Sequence, residues 1–131
     1  MRKFLGVAVI LLIGASNING QVIINSKFKP LTYEEIMLSA MAENTRRKQF
    51  EEYVDKAYER LNHNDYSGFI SYSNYALQTG WYNSKLYYDR GLVYIHFKEY
   101  KLAKKELRKS LRKGYEPARK ILVTLKQKQK K

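Results

Sequence analysis

From Tyr33 onward the apolar residues recur at intervals of three and four, the spacing of one helix face. Ile36, Met37, Ala40 and Met41 form the first such stripe. Thr32 precedes it with Glu35 three residues on, the pattern of a capping box, and Leu31 and Ile36 have the spacing of a hydrophobic staple. The polar stretch 43–49 follows, which either a helix crosses exposed or a break near Asn44-Thr45 interrupts. Phe50, Val54, Ala57, Tyr58 and Leu61 resume the stripe, and Asn62-His63-Asn64-Asp65 reads as a turn whose Asp65 caps the next helix. That helix carries Tyr66, Phe69, Ile70, Ala76 and Leu77 on one face, Tyr72 and Tyr75 on a second, and Gly80 at its end. Ser84 is the expected cap of a helix containing Tyr87, Tyr88, Gly91, Leu92, Tyr94 and Ile95. After a turn at Lys98-Glu99, a further stripe of Tyr100, Ala103, Leu107 and Leu111 ends at Gly114, the place of a C′ glycine. Pro117 suits the first turn of a last helix with Ala118, Ile121, Leu122 and Leu125 on its apolar face. Residues 21–31 read as an extended lead-in and 127–131 as a basic tail. The pattern predicts an all-α fold over 32–126.

Composition agrees with that pattern. A chain of 131 residues holds one domain, and 44% hydrophobic with 14% aromatic residues supplies the apolar surface a core requires. Two prolines and seven glycines leave long stretches without turn signals, which suits helices better than short strands. The absence of cysteine excludes disulfides, thiolate zinc, a Cys nucleophile and a lipidated cysteine.

Arg2 and Lys3 precede the apolar run 4–13, and Gly14, Ala15, Ser16 and Asn17 follow. This is the charged, apolar, small-residue order of a secretory signal peptide, with a cut expected after Gly20. An uncleaved anchor is the alternative, although the run is shorter than the roughly 20 residues that span a bilayer. The expectation is an exported protein, whether periplasmic, envelope-associated or secreted. Charge then divides the chain. Residues 21–97 carry nine Lys and Arg against nine Asp and Glu, whereas 98–131 carry 14 against three, a balance of +11.

A search for internal repetition finds a spacing of 34: Tyr66 with Tyr100, Leu77 with Leu111 and Gly80 with Gly114, joined by Asp65 with Glu99, Ala76 with Ser110 and Trp81 with Tyr115. A helix-turn-helix unit of this length resembles the tetratricopeptide repeat, with units at about 50–83 and 84–117. In that family's register Gly91 stands at the small residue of the first helix and Tyr94 at the aromatic three later. Tyr100 opens the second helix, Ala103 takes its small crossing position, and Leu107 and Leu111 fill later core sites. The unit at 50–83 is looser: Ala57 is its small residue, but Arg60 replaces an aromatic, Phe69 an alanine and Ser73 a core apolar residue. Lys56 and Arg90 stand where the family prefers leucine, and Trp81 and Tyr115 replace the closing proline. The resemblance covers roughly 50–125 and implies an array of helix hairpins, with the helices from Thr32 and Pro117 as its caps.

Catalytic constellations are missing from this pattern, and no enzyme, cofactor, metal site or small-molecule substrate is expected. Of the two histidines, His63 lies in a turn and His96 near a helix end, where packing is the expected role. Glu51, Glu52, Asp55 and Glu59 are interleaved with Lys48, Lys56 and Arg60 at helical spacing, as on a solvated face laced with ion pairs. The resemblance implies binding of a protein or peptide on the face made by first helices, at Glu51, Val54, Tyr58, Leu61, Lys85, Tyr88, Leu92, Ile95 and His96. Val54 with Tyr88, and Tyr58 with Leu92, occupy the positions where the carboxylate-gripping subfamily has Lys and Asn, so an apolar-aromatic groove is expected instead. A second candidate surface is basic: Lys101, Lys104, Lys105, Arg108, Lys109 and Arg112 surround the stripe at 100–113. It is either a solubilising face or a site for an anionic partner, with acidic lipid or protein ahead of nucleic acid, for which no base-reading motif is present.

Overall fold

The computed structural model describes residues 29–129, which form five helices and no strand. They are α1 (Tyr33–Asn62), α2 (Tyr66–Gln78), α3 (Ser84–His96), α4 (Tyr100–Arg112) and α5 (Pro117–Gln129). The fold is an all-α array of helix hairpins. α1 packs on α2 and α3 on α4, α5 lies against α4, and α2 meets α3 over a smaller area. The stretch 1–20 expected as a signal peptide, the expected lead-in up to residue 28 and the last two residues lie outside the described part.

The spacing of 34 is a repeat of the backbone itself. Asn64 and Lys98 both take left-handed conformations, at φ 59° and 60°, and Gly80 and Gly114 do so at 89° and 95°. The hydrogen bonds repeat with them. Asp65 N–H donates to the Arg60 carbonyl and Glu99 N–H to that of Tyr94, both at 2.9 Å, while Gly80 donates to Leu77 and Gly114 to Leu111. Glycine closes each hairpin because an L side chain at such φ clashes with its own carbonyl. The caps differ between copies. Asp65 Oδ1 accepts from Gly68 N–H at 2.9 Å, whereas the longer Glu99 makes no side-chain cap. The cap of α3 is Asn83, not Ser84: Asn83 Oδ1 accepts from Lys85 N–H at 2.8 Å and Leu86 N–H at 3.4 Å. Asparagine is as good a cap as serine, and here it stands one residue earlier.

α1 begins with the capping box, Thr32 Oγ1 accepting from Glu35 N–H at 3.2 Å and Glu35 Oε2 from Thr32 N–H at 2.7 Å. It then runs unbroken through 43–49 and is one helix of 30 residues. The separate N-terminal cap expected from Thr32 is thus the first half of α1, and among the described residues it covers none of the other helices' apolar cores. Length is the reason. At 1.5 Å per residue α1 is about 45 Å long and α2 about 20 Å, so α2 reaches only from the turn back to Phe50. Up to that residue the apolar side chains of α1 are exposed; Tyr33, for example, is 76% accessible. The other cap does form, with Ala118, Leu122 and Leu125 of α5 buried against Ala103 and Leu107 of α4.

Two apolar clusters hold the array. Phe50, Ala57, Phe69, Ala76, Leu86 and Val93 form the first, spanning the α1–α2 hairpin and one side of α3. Tyr66 and Leu77 pack at its edge, as Tyr94 and Leu111 do around the second, while Tyr100 is partly exposed. Each fully buried Phe or Leu stabilises the fold by about 1.5–3 kcal/mol. Within the second hairpin the closest approach is at Gly91. A Cβ built there lies 2.6 Å from Leu107 Cγ and 3.4 Å from the Ala103 carbonyl oxygen.

Within the second hairpin lies a buried ion pair that also reaches the first. Arg90 on α3 and Glu106 on α4 are each 6% exposed and meet at 3.2 Å from Nε to Oε2. Arg90 also donates to Ser73 Oγ, and to Asn74 Oδ1 at 2.8 Å, both on α2. Two departures from the repeat pattern, arginine for leucine and serine for a core apolar residue, are therefore partners in one network.

Two substitutions test this packing. Gly91→Leu is expected to lower the unfolding free energy by about 3 kcal/mol, the upper end of the overpacking range, in a urea titration followed by circular dichroism. Arg90→Leu strands the Glu106 carboxylate and is expected to cost about 3–5 kcal/mol, while Arg90→Leu combined with Glu106→Leu recovers most of that loss. The same titration on single and double variants checks the coupling.

Candidate functional site

The face made by α1 and α3 carries the first set of expected site residues, and the structure divides them. Val54 and Leu61 are half-buried and packed against the first cluster, while Tyr88 and Ile95 are packed against the second. They contribute walls and not an open groove. Glu51 is exposed, Leu92 is 37% exposed, and His96 lies over the Tyr66 ring with centroids 4.1 Å apart.

What the structure does bring together is a polar cluster at the seam between hairpins. The Tyr58 hydroxyl of α1 donates to Asp89 Oδ2 of α3 at 2.5 Å, and Lys85 Nζ donates to the same oxygen at 2.8 Å. Lys85 Nζ also sits 5.1 Å from the Tyr58 ring centroid, within cation–π reach. The Lys85 side chain is 54% exposed and that of Asp89 only 12%. The Tyr58 ring leans on Phe69 at 5.6 Å between centroids, and Tyr88 leans on Tyr115 from the α4–α5 turn at 5.0 Å. An aromatic ridge thus runs from α1 over α3 to the start of α5, with one neutralised carboxylate near its middle. Burial raises the Tyr58 phenol far above its ordinary value, and the hydrogen bond to Asp89 adds to the rise. The phenol therefore stays a donor at any physiological pH.

Asp89 was not among the residues expected from the sequence. Its signal was local: it stands four residues after Lys85, the spacing of a helical ion pair. Its pairing with Tyr58, 31 positions earlier, needed the fold.

The basic surface lies on α4. Lys101, Lys105, Arg108 and Arg112 are exposed and Lys104 and Lys109 half-buried. Lys109 Nζ lies 5.5 Å from the Tyr87 centroid and Lys113 Nζ 3.7 Å from that of Tyr82, so aromatic rings of the hairpin carry part of this charge. Glu106, the acid within α4, points inward to Arg90. Consequently every charged side chain on the accessible face of α4 is a cation. On α1, Arg47 pairs with Glu51 at 4.0 Å and Arg60 with Asp65 at 3.7 Å, as suits a solvated face. Among the described residues no group of three His, Asp or Glu side chains is placed to hold a metal ion, and no helix is long and apolar enough to cross a membrane.

Comparison with protein-family models, with curated proteins and with solved structures finds nothing that matches this chain.

Tyr58→Phe tests the seam. Losing a hydrogen bond to a charged, half-buried acceptor is expected to cost about 1–2 kcal/mol at neutral pH. The phenol is raised in the fold, so its contribution is complete below its ordinary pKa near 10 and fades as pH rises above that value. Stability of the unaltered protein should therefore fall more steeply above pH 10 than that of Tyr58→Phe, read from denaturant midpoints at stepped pH.

Proposed function

We propose that this protein is a non-catalytic adaptor of the tetratricopeptide-like type, working in an exported compartment and holding a protein or peptide on the α1–α3 face. One observation carries the reading. The Tyr58–Asp89–Lys85 cluster joins the first helices of successive hairpins and lies beside exposed Leu92 and the Tyr88–Tyr115 stack. Aromatic rings with a few fixed polar groups suit a peptide, because the rings supply contact area at little entropic cost and the polar groups set its register. The backbone repeat at 34 residues supports the tetratricopeptide-like assignment, and the order of residues 2–17 supports export.

A second reading has its own observation. Because Glu106 is buried, α4 presents only positive charge, and an anionic partner such as an acidic protein or lipid headgroup would relieve the repulsion among Lys101, Lys105, Arg108 and Arg112.

Capture of a partner from the native envelope by the full chain separates the two. Lys85→Ala with Leu92→Glu, both on exposed positions, is expected to lose the partner. Lys101→Glu with Lys105→Glu and Arg108→Glu is expected to keep it, and binding should change little between 0.05 and 0.5 M salt because aromatic contacts are not screened as exposed charges are. Loss on the charge reversal alone, with steep salt dependence, would transfer the function to α4.

A further inference from the structure

The turn between α3 and α4 exposes side chains that its backbone does not require. Phe97, Tyr100 and Leu102 are 42%, 39% and 41% exposed, and exposed Lys98 and Lys101 stand between them. The turn one repeat earlier has the same backbone with other residues. Asn64 matches Lys98 in its left-handed φ, and Asp65 N–H closes the same hydrogen bond as Glu99 N–H. The places of Phe97, Lys98, Lys101 and Leu102 are held there by His63, Asn64, Ser67 and Gly68. Asparagine tolerates a left-handed φ far better than lysine does. Turn geometry alone therefore favours Asn64 over Lys98, and it gives no reason for three exposed apolar side chains in six residues.

The fold brings further charge to this end of the array. Short turns make successive helices antiparallel, so the last residues of α1, α3 and α5 lie at the same end as the first of α2 and α4. The stack of His96 on Tyr66 joins α3 to α2 there. Leu125 of α5 shares a cluster with Ala103 of α4, which sets exposed Lys126 and Lys128 near the start of α4. Against Lys98, Lys101, Lys126 and Lys128 stand Glu59 and Glu99, while Asp65 is taken up by Arg60 at 3.7 Å.

Two requirements narrow the partner. The lysines need anions, and the apolar side chains need hydrocarbon beside those anions. An anionic bilayer surface supplies both, with headgroup phosphates above and acyl chains a few ångströms below. Tyrosine suits the headgroup level, and lysine stems reach back up to it from below. A nucleic acid backbone or a run of carboxylates meets the lysines but offers no hydrocarbon to Leu102.

We propose that the α3–α4 turn docks this protein on anionic bilayer surfaces. Phe97 and Leu102 enter the acyl boundary, and Lys98, Lys101, Lys126 and Lys128 pair with headgroup phosphates. This docking end is separate from the α1–α3 face, which contains none of these residues, and of the cations on the outer face of α4 it uses only Lys101.

Co-sedimentation of the full chain with vesicles of phosphatidylcholine and phosphatidylglycerol in equal parts tests this, with phosphatidylcholine vesicles as the reference. The unaltered protein is expected to bind the mixed vesicles more tightly, with the amides of 97–102 protected from exchange on binding. Lys98→Asn with Lys101→Ser, which restores the residues of the first turn, is expected to weaken that binding on the order of thirtyfold. Phe97→Ser with Leu102→Ser is expected to weaken it on the order of tenfold. All four positions are exposed, so the thermal melts of both variants should stay within a few degrees of the unaltered protein. Equal binding to both kinds of vesicle overturns the proposal, as does binding indifferent to both pairs of substitutions, including binding through residues 4–13. So does binding that responds to the lysines but not to Phe97 and Leu102, which makes α4 a bare cationic face. Tight association with single-stranded RNA or polyglutamate in place of mixed vesicles overturns it as well.

Discussion

The Arg90–Glu106 pair is the contact on which the arrangement of the hairpins depends. Its guanidinium reaches Glu106 within its own hairpin and Ser73 and Asn74 in the hairpin before it, so one side chain ties α2, α3 and α4. A buried ion pair adds little net stability over an apolar pair, because desolvation offsets most of its attraction. Its effect is on geometry. The planar fork of arginine accepts few positions for its partners, and sliding α3 along α2 or α4 would leave a buried charge unmatched. Apolar contacts between α2 and α3 are limited, which leaves this network to fix their register.

The same pair shapes the outer surface. Glu106 is drawn inward, and the exterior of α4 carries no acidic residue of its own. Half-buried Lys109 lies over the ring of Tyr87, and Lys113, just past the end of α4, over that of Tyr82. A choice made in the core thus decides the electrostatics of a face on the opposite side of the helix, and it separates that face from the aromatic seam of α1 and α3.

The array also shows how a short repeat protein handles its ends. Each hairpin buries one side on its neighbour, and a terminal hairpin requires a cover. α5 provides one for α4 through Ala118, Leu122 and Leu125. At the other end α1 is twice as long as any helix available to it, and its first half projects beyond the bundle with its apolar side chains in solvent. The seam cluster of Tyr58, Lys85 and Asp89 lies between these ends, where two first helices run side by side.

Local features were legible in the sequence because they depend on neighbours in the chain. The capping box at Thr32, the cap at Asp65, the glycines at 80 and 114 and the start of α5 at Pro117 all follow from φ preferences and orphan N–H groups within a turn or two. The 34-residue spacing and the close crossing at Gly91 were legible for a related reason: only a small residue leaves room there, and its position repeats. Long-range pairing was not. Arg90 and Ser73 each looked like a defect in the pattern, since nothing in composition or spacing says that residues 17 positions apart share a hydrogen bond, and Glu106 gave no sign that it would be buried. The continuity of α1 through 43–49 was undecided for the same reason, because a polar stretch is helical or broken according to what surrounds it. Local chemistry set where helices begin and end; which faces they bury, and which charges meet, was decided by desolvation, and that depends on the whole tertiary arrangement.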